Sequence, residues 1–188
     1  MSDQSSALNR GAAVAEADVG RTEVRPATEA DMEAVLRIYV PHVRHGTGSF
    51  EEQPPNLAEL ASRRAAVVER SLPFLVAEAS CGILGFAYAA PFRPRSAYRF
   101  TVEDSVYVHP DAVGLGIGRL LLNDLIARCT ALKYRQMVAV IGDSTNHRSI
   151  ALHRSLGFRH AGKLTSVGYK FDRLLDVVFM QRELCQVS

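Results

Sequence analysis

The chain has 188 residues, 47% of them hydrophobic and 22% charged, with a formal net charge of +2; this length suits one domain that buries its own core. So small a charge, with no dense Lys/Arg block, argues against a nucleic-acid partner or a membrane surface, and no apolar run reaches the length of a signal core or a membrane span. Cys81, Cys129 and Cys185 are odd in number and widely spaced, a pattern of neither a disulfide framework nor a zinc site, so no metal is expected and a reducing cytoplasm is the simplest compartment.

Residues 1–20 are small and polar and read as a flexible tail, leaving 21–185 as the folded domain. A short strand is expected over residues 22–26. Thr28 before Glu29 and Asp31 is a helix start, and Met32, Val35, Leu36, Ile38 and Tyr39 give the helix one apolar face, with Pro41 expected to bend or end it. Residues 44–56 form a Gly/Pro-rich loop, and Asn56 with Glu59 caps a second helix running to Arg70. Two strand-like runs, residues 73–79 and 83–89, flank a turn at Cys81-Gly82 and predict an antiparallel hairpin.

Residues 101–108 predict the next strand. If no bulge intervenes, Glu103, Ser105 and Tyr107 share one of its faces, and Val102, Asp104, Val106 and Val108 the other. A long helix follows with Leu121, Leu125, Cys129 and Leu132 as its stripe. Then come a compact strand at 136–141, a short helix over 146–156 closed by Gly157, and a final Val/Phe-rich strand at 174–181. This order predicts a single α/β (α+β) domain with a central mixed, mostly antiparallel sheet flanked by helices.

Between the strand ending at Val108 and the long helix lies Val113-Gly114-Leu115-Gly116-Ile117-Gly118-Arg119. A strand, a glycine turn and a helix start aim free amides and the positive end of the helix dipole at one point, which is an anion site. Spacing excludes two phosphate loops. No Lys-Ser or Lys-Thr is present for a Walker loop, and neither register of the glycines completes Gly-x-Gly-x-x-Gly. A glycine turn that merely packs a helix on a strand would leave the same trace.

The remaining pattern, x-x-Gly-x-Gly at Gly116 and Gly118, resembles the pyrophosphate loop of GCN5-related N-acetyltransferases, with Val113 where that family usually carries Arg or Gln. Asn146-His147-Arg148-Ser149-Ile150-Ala151-Leu152-His153-Arg154-Ser155-Leu156-Gly157-Phe158 resembles the later motif of the same family. Val102-Glu103-Asp104-Ser105-Val106-Tyr107-Val108 and Val167-Gly168-Tyr169-Lys170-Phe171 are similar to the phosphinothricin and methionine sulfoximine N-acetyltransferase group.

The resemblance implies an acetyl-CoA-dependent transfer to the α-amine of a small amino-acid-like acceptor by a homodimeric enzyme. It places Glu103 as general base, since an ammonium must lose a proton before it attacks a thioester. It places His153 as proton donor or second base. Backbone groups of Val106, Tyr107 and Val108 would meet the pantetheine and the oxyanion. The amides of Gly114, Leu115, Gly116, Ile117, Gly118 and Arg119 would meet the pyrophosphate, and Asn146 would add a contact. For the acceptor it implies Arg93, Pro94, Arg95, Arg99 and Lys170 as cationic or neighbouring groups suited to a carboxylate and a phosphinyl or sulfoximine group. Glu103, Asp104 and Ser105 would lie beside it, with Phe50 as a wall. Two other functions fit the same residues: acetylation of a different free amino acid or amine metabolite, and a non-catalytic acyl-CoA-binding sensor.

Overall fold

The computed structural model describes residues 21–184, so the expected tail and Cys185 lie outside the described residues. Seven strands form one sheet in the order β1-β2-β3-β4-β5-β7-β6: β1 Glu23–Pro26, β2 Phe74–Ala79, β3 Gly82–Pro91, β4 Thr101–Val108, β5 Gln136–Gly142, β6 Arg159–Lys170 and β7 Arg173–Glu183. Four helices flank it: α1 Met32–His45, α2 Leu57–Glu69, α3 Ile117–Ala131 and α4 His147–Ser155. Every pairing is antiparallel except β4 with β5.

Local chemistry explains the element ends. The Thr28 amide donates to Asp31 Oδ2 at 2.7 Å, and Arg25 grips both oxygens of Asp31 at 2.8 Å, which ties β1 to the entry of α1 and holds the Asp31 carboxyl well below the usual carboxylate range. Asn56 caps α2 by accepting from the Glu59 amide at 2.9 Å. The hairpin turns through Ser80-Cys81, with Gly82 at φ +118° opening β3.

Three sequence expectations are corrected. Pro41 does not end its helix: α1 runs on to His45, because Ile38, Tyr39 and Val43 are buried around the missing rung and hold both flanking turns. Leu132 lies beyond the last turn of α3 and is exposed, whereas Leu121, Leu125 and Cys129 are fully buried. The twelve-residue strand β6 has no sequence signal, since it is an edge strand with mostly exposed side chains and two register shifts against β7; its backbone pairing writes no apolar alternation.

The register between β3 and β4 is continuous from Gly85↔Val108 to Pro91↔Val102, so the alternation expected on β4 holds. Tyr107 points toward α1, with its ring 4.8 Å from Tyr39 and 5.0 Å from Phe86. Val106 and Val108 point toward α3, near enough that a Cβ added at Gly118 would stand 3.5 Å from Val108. β4 and β5 pair only from Thr101↔Gln136 to Asp104↔Ala139 and then part: β4 continues on β3, and β5 turns onto β7.

Candidate active site

The parted strands open a cleft of about 1190 Å³ whose walls are Asp104–Val108 of β4, Ala139–Gly142 of β5, the glycine turn and α4. Thr101 and His109 bond their backbone to β3, at Phe92 N and Leu84 O, so odd residues of β4 spend their amides and carbonyls there. Even residues turn theirs to the other edge, where β5 has left. Val106 and Val108 therefore face the gap with their peptide groups, a strand edge open to an extended ligand. One of these groups is engaged: His42 Nε2–H donates to the Val108 carbonyl at 2.8 Å.

At the mouth of the cleft the glycines serve two purposes. Gly114 and Gly116 have φ of +91° and +85° with open space around them, so their role is the left-handed backbone that swings the chain into α3. Gly118 is the close-approach position, where a Cβ would sit 3.3 Å from Leu152 of α4. The amides of Gly114, Gly116, Ile117 and Gly118 find no backbone acceptor among the described residues, whereas Leu115 donates to Ala112 and Arg119 to Gly116. Four free amides at a helix start suit a pyrophosphate. Arg119 lines the cleft by its side chain, held 3.2 Å from Ser155 Oγ. Val113 is exposed beside it.

Asn146 caps α4 by accepting from the Ser149 amide at 3.2 Å, and its Nδ2 faces the loop at Gly48. Further along α4, His153 is buried and reaches Asp104 Oδ2 through Nε2 at 2.9 Å, while its Nδ1 lies 2.7 Å from the Ser149 carbonyl. A carbonyl can only accept, so Nδ1 carries a proton. Burial by itself would lower the His153 pKa, but the Asp104 hydrogen bond and charge, with the Ser149 carbonyl, outweigh it and the net direction is upward.

Glu103 and Ser105 lie on the opposite face of β4, toward α1 and α2. Burial raises the Glu103 pKa; nearby Arg93 opposes the rise and Asp104 adds to it. Ser105 lies opposite Tyr88 of β3, whose hydroxyl pKa is pushed up by burial. Over this face runs the loop after α1. Tyr39 donates to Glu51 at 2.8 Å and lies 3.0 Å from Ser49 Oγ, and Arg63 closes on Glu51 at 2.6 Å.

The structure brings Asp104, Ser105, Val106, Val108, the glycine turn, Asn146 and His153 to one cleft, with Glu103 behind it at the point of parting. Three assignments change. Lys170 does not line the cleft: the residue is 3% exposed and its ammonium donates to the carbonyls of Gly46 at 2.9 Å and Ser49 at 2.8 Å, a clamp on the loop, and burial lowers its pKa. Tyr107 bonds its backbone to β3 and packs its ring under α1, so only Val106 and Val108 offer peptide groups. The amides of Leu115 and Arg119 are spent inside the turn.

Arg93, Pro94, Arg95 and Arg99 remain exposed between β3 and β4; Arg93 stacks on Phe92 at 4.3 Å and Arg99 on Phe100 at 4.8 Å. Phe50 is wedged between β5 and β6, where a Cβ at Gly142 would stand 2.7 Å from its ring and one at Gly168 would collide with it. Sequence reasoning missed His42. It continues the buried Ile38/Tyr39 face of α1 at helical spacing, which was its one legible trace.

A parted sheet with a glycine-turned helix at its mouth defines the acyltransferases that bind a thioester between two strands. The chain belongs to the acetyltransferase (GNAT) family, whose profile matches residues 33–158, and it is an N-acetyltransferase. Over 161 residues it is 54% identical to a phosphinothricin N-acetyltransferase of Alcaligenes faecalis, covering 86% of this chain and 82% of that protein. It is 42% identical over 162 residues to an L-methionine sulfoximine/L-methionine sulfone acetyltransferase of Pseudomonas paraeruginosa, covering 86% and 94%. The crystal structure of a phosphinothricin acetyltransferase from Sinorhizobium meliloti in complex with AcCoA superposes with a TM-score of 0.83 at 46% identity, covering 86% of this chain and 88% of that one.

Proposed function

We propose that this protein transfers an acetyl group from acetyl-CoA to the α-amine of a small acidic amino-acid analogue of the phosphinothricin, methionine sulfoximine or methionine sulfone type, with Glu103 as general base. The observation that carries the reading is the parting of β4 and β5 directly after the Glu103↔Val138 and Asp104↔Ala139 pairs, which sets a half-buried carboxylate beside the opening between the two strands. The similarity to enzymes named for these acceptors supports the substrate class.

The residues fit the donor. The free amides of Gly114, Gly116, Ile117 and Gly118 would hold the pyrophosphate, and Val106 and Val108 would hydrogen-bond the pantetheine as an added strand, leaving the thioester where the strands part. Glu103 takes a proton from the acceptor ammonium, directly or through one water; the freed amine pair attacks the thioester carbonyl, and a β4 amide donates to the oxyanion. The C–S bond then breaks with its pair going to sulfur, and the surplus proton left on the new amide nitrogen passes to water or to the thiolate. Burial of Glu103 suits this work, because a raised pKa makes the carboxylate a better base near neutral pH. Arg93 and Arg99 at the end of β3 and β4 are the cations available to an acidic acceptor, and Phe50 walls the loop side. In this reading residues 21–185 form the catalytic domain, and the enzyme works as a cytoplasmic homodimer.

Incubation with acetyl-CoA and a panel of acceptors, followed by thiol release, tests the proposal. Release with phosphinothricin, methionine sulfoximine or methionine sulfone is expected. No release with these three but turnover of another amino acid or amine would move the acceptor class, and no release with any would favour a binding module.

A further inference from the structure

The Asp104–His153 pair joins β4 to α4 across the wall of the cleft, and its hydrogen bonds account for every ring nitrogen. Nδ1–H is committed to the Ser149 carbonyl at 2.7 Å, and Nε2 meets Asp104 Oδ2 at 2.9 Å. The two side chains are 5% and 1% exposed. A ring so placed has no lone pair to offer a substrate and no N–H left to point at one. Asp104 Oδ1, in contrast, is the buried side-chain oxygen without a hydrogen-bond partner among the described residues, and Asp104 lines the cleft.

We infer that Asp104 is a positioning residue that holds His153 through Nε2 while the Ser149 carbonyl holds Nδ1, so that Asp104 and His153 form a neutral pair in the cleft wall that neither gives nor takes a proton during turnover. The inference rests on the acetyl-transfer reading above and deepens it: proton removal falls to Glu103 alone. The work of the unit is electrostatic. A thiolate leaving beside an uncompensated, buried Asp104 carboxylate would be repelled, and the fixed charge of His153 cancels that repulsion. A proton handed from Nε2 to sulfur would leave a ring lone pair facing a carboxylate, so the same geometry that neutralises Asp104 disfavours His153 as the acid.

The groups around the pair are consistent with this. α3 contributes Cys129, whose thiol is pushed up to about 12 by burial and by the charge of Asp104, and stays protonated. α4 contributes Ser149; β5 contributes Ala139 opposite Asp104; and the ring of Phe158 stands edge-on to His153 at 5.0 Å. Glu103, next on β4, projects from the other face.

The full-length protein with 15N-labelled histidines tests the lock without substrate. His153 is expected to keep both nitrogens protonated beyond the pH at which a free imidazole loses its proton, and Asp104→Asn is expected to lower its proton affinity at least tenfold. A wild-type ring that titrates near its ordinary value, or one unmoved by Asp104→Asn, overturns the inference. A mutant cycle on kcat/KM then separates neutralisation from proton transfer. His153→Leu alone, which strands the carboxylate, should be slowest, on the order of 100-fold down. Asp104→Asn should fall about tenfold, and the double variant should recover to within about threefold of Asp104→Asn. A double variant as slow as His153→Leu, or loss of a pH-profile limb in His153→Leu, overturns the inference in favour of a proton-transferring histidine. If Asp104→Asn does not fold, the wild-type titration still decides. A wild type that acetylates no acceptor removes the acetyl-transfer reading, and the ring titration decides the lock independently.

Discussion

The two sides of the parted sheet are made of different material. The donor side is backbone: four free amides of the glycine turn and the unpaired edge of β4. The proposed acceptor side is side chains, with Glu103 and Ser105 on β4 under a loop that Lys170 and Phe50 hold in place. Peptide groups recognise what every acetyl donor shares, so that side can tolerate Val113 in place of a longer residue. Side chains recognise what distinguishes one acceptor from another.

Breaking the acceptor side should give the largest effect. Glu103→Gln is expected to lower kcat/KM by about 10³, with acetyl-CoA affinity measured by calorimetry changed by less than about twofold; a matching loss of affinity would erase the division between the sides. As the proposed general base, the Glu103 carboxyl must be ionised to act. Its pKa is raised by burial, so kcat/KM should fall as pH drops through a value above the ordinary carboxylate range, and the limb should be absent in Glu103→Gln.

Gly168→Ala should come next. Its methyl group meets the Phe50 ring, and the overpacking should cost about 1–3 kcal/mol, read as a lower Tm and a higher acceptor KM at unchanged acetyl-CoA affinity. Phe50→Leu added to it should restore most of the loss. Gly116→Ala addresses the donor side, where the space is open but φ is +85°. A cost of about 1 kcal/mol, or roughly a fivefold weaker acetyl-CoA, is expected from the strained turn, with kcat for a saturating donor nearly unchanged. The smallest effect is assigned to Val113→Arg, where an exposed charge near the pyrophosphate should tighten acetyl-CoA by no more than about threefold.

The same division explains what could be read from the sequence. Gly114, Gly116 and Gly118 were visible because backbone geometry demands a residue type locally, and the strand and helix beside them carry clear periodicity. Their separate duties were not, since Gly118 is explained only by Leu152 of α4 lying against it. Glu103 stands out as the proposed base by family resemblance and by its flanking apolar residues. Lys170 was expected at the acceptor because a late cation in a motif suggests a ligand, and only β6, a strand with no sequence signature, delivers it to the carbonyls of Gly46 and Ser49. The pairing of Asp104 with His153 and of His42 with Val108 depends on how helices lie across the sheet, which no local pattern records.

Phe50, Gly142 and Gly168 come from three distant parts of the chain, yet they share one volume. A methyl at Gly168 would meet the Phe50 ring alone, whereas one at Gly142 would meet the Thr47 carbonyl as well as that ring, so a smaller residue at position 50 relieves only the first. Swapping the loop of residues 44–56 from a related enzyme to alter acceptor choice would therefore fail unless both strand positions travelled with it: the transferable unit is a loop together with two glycines of the sheet.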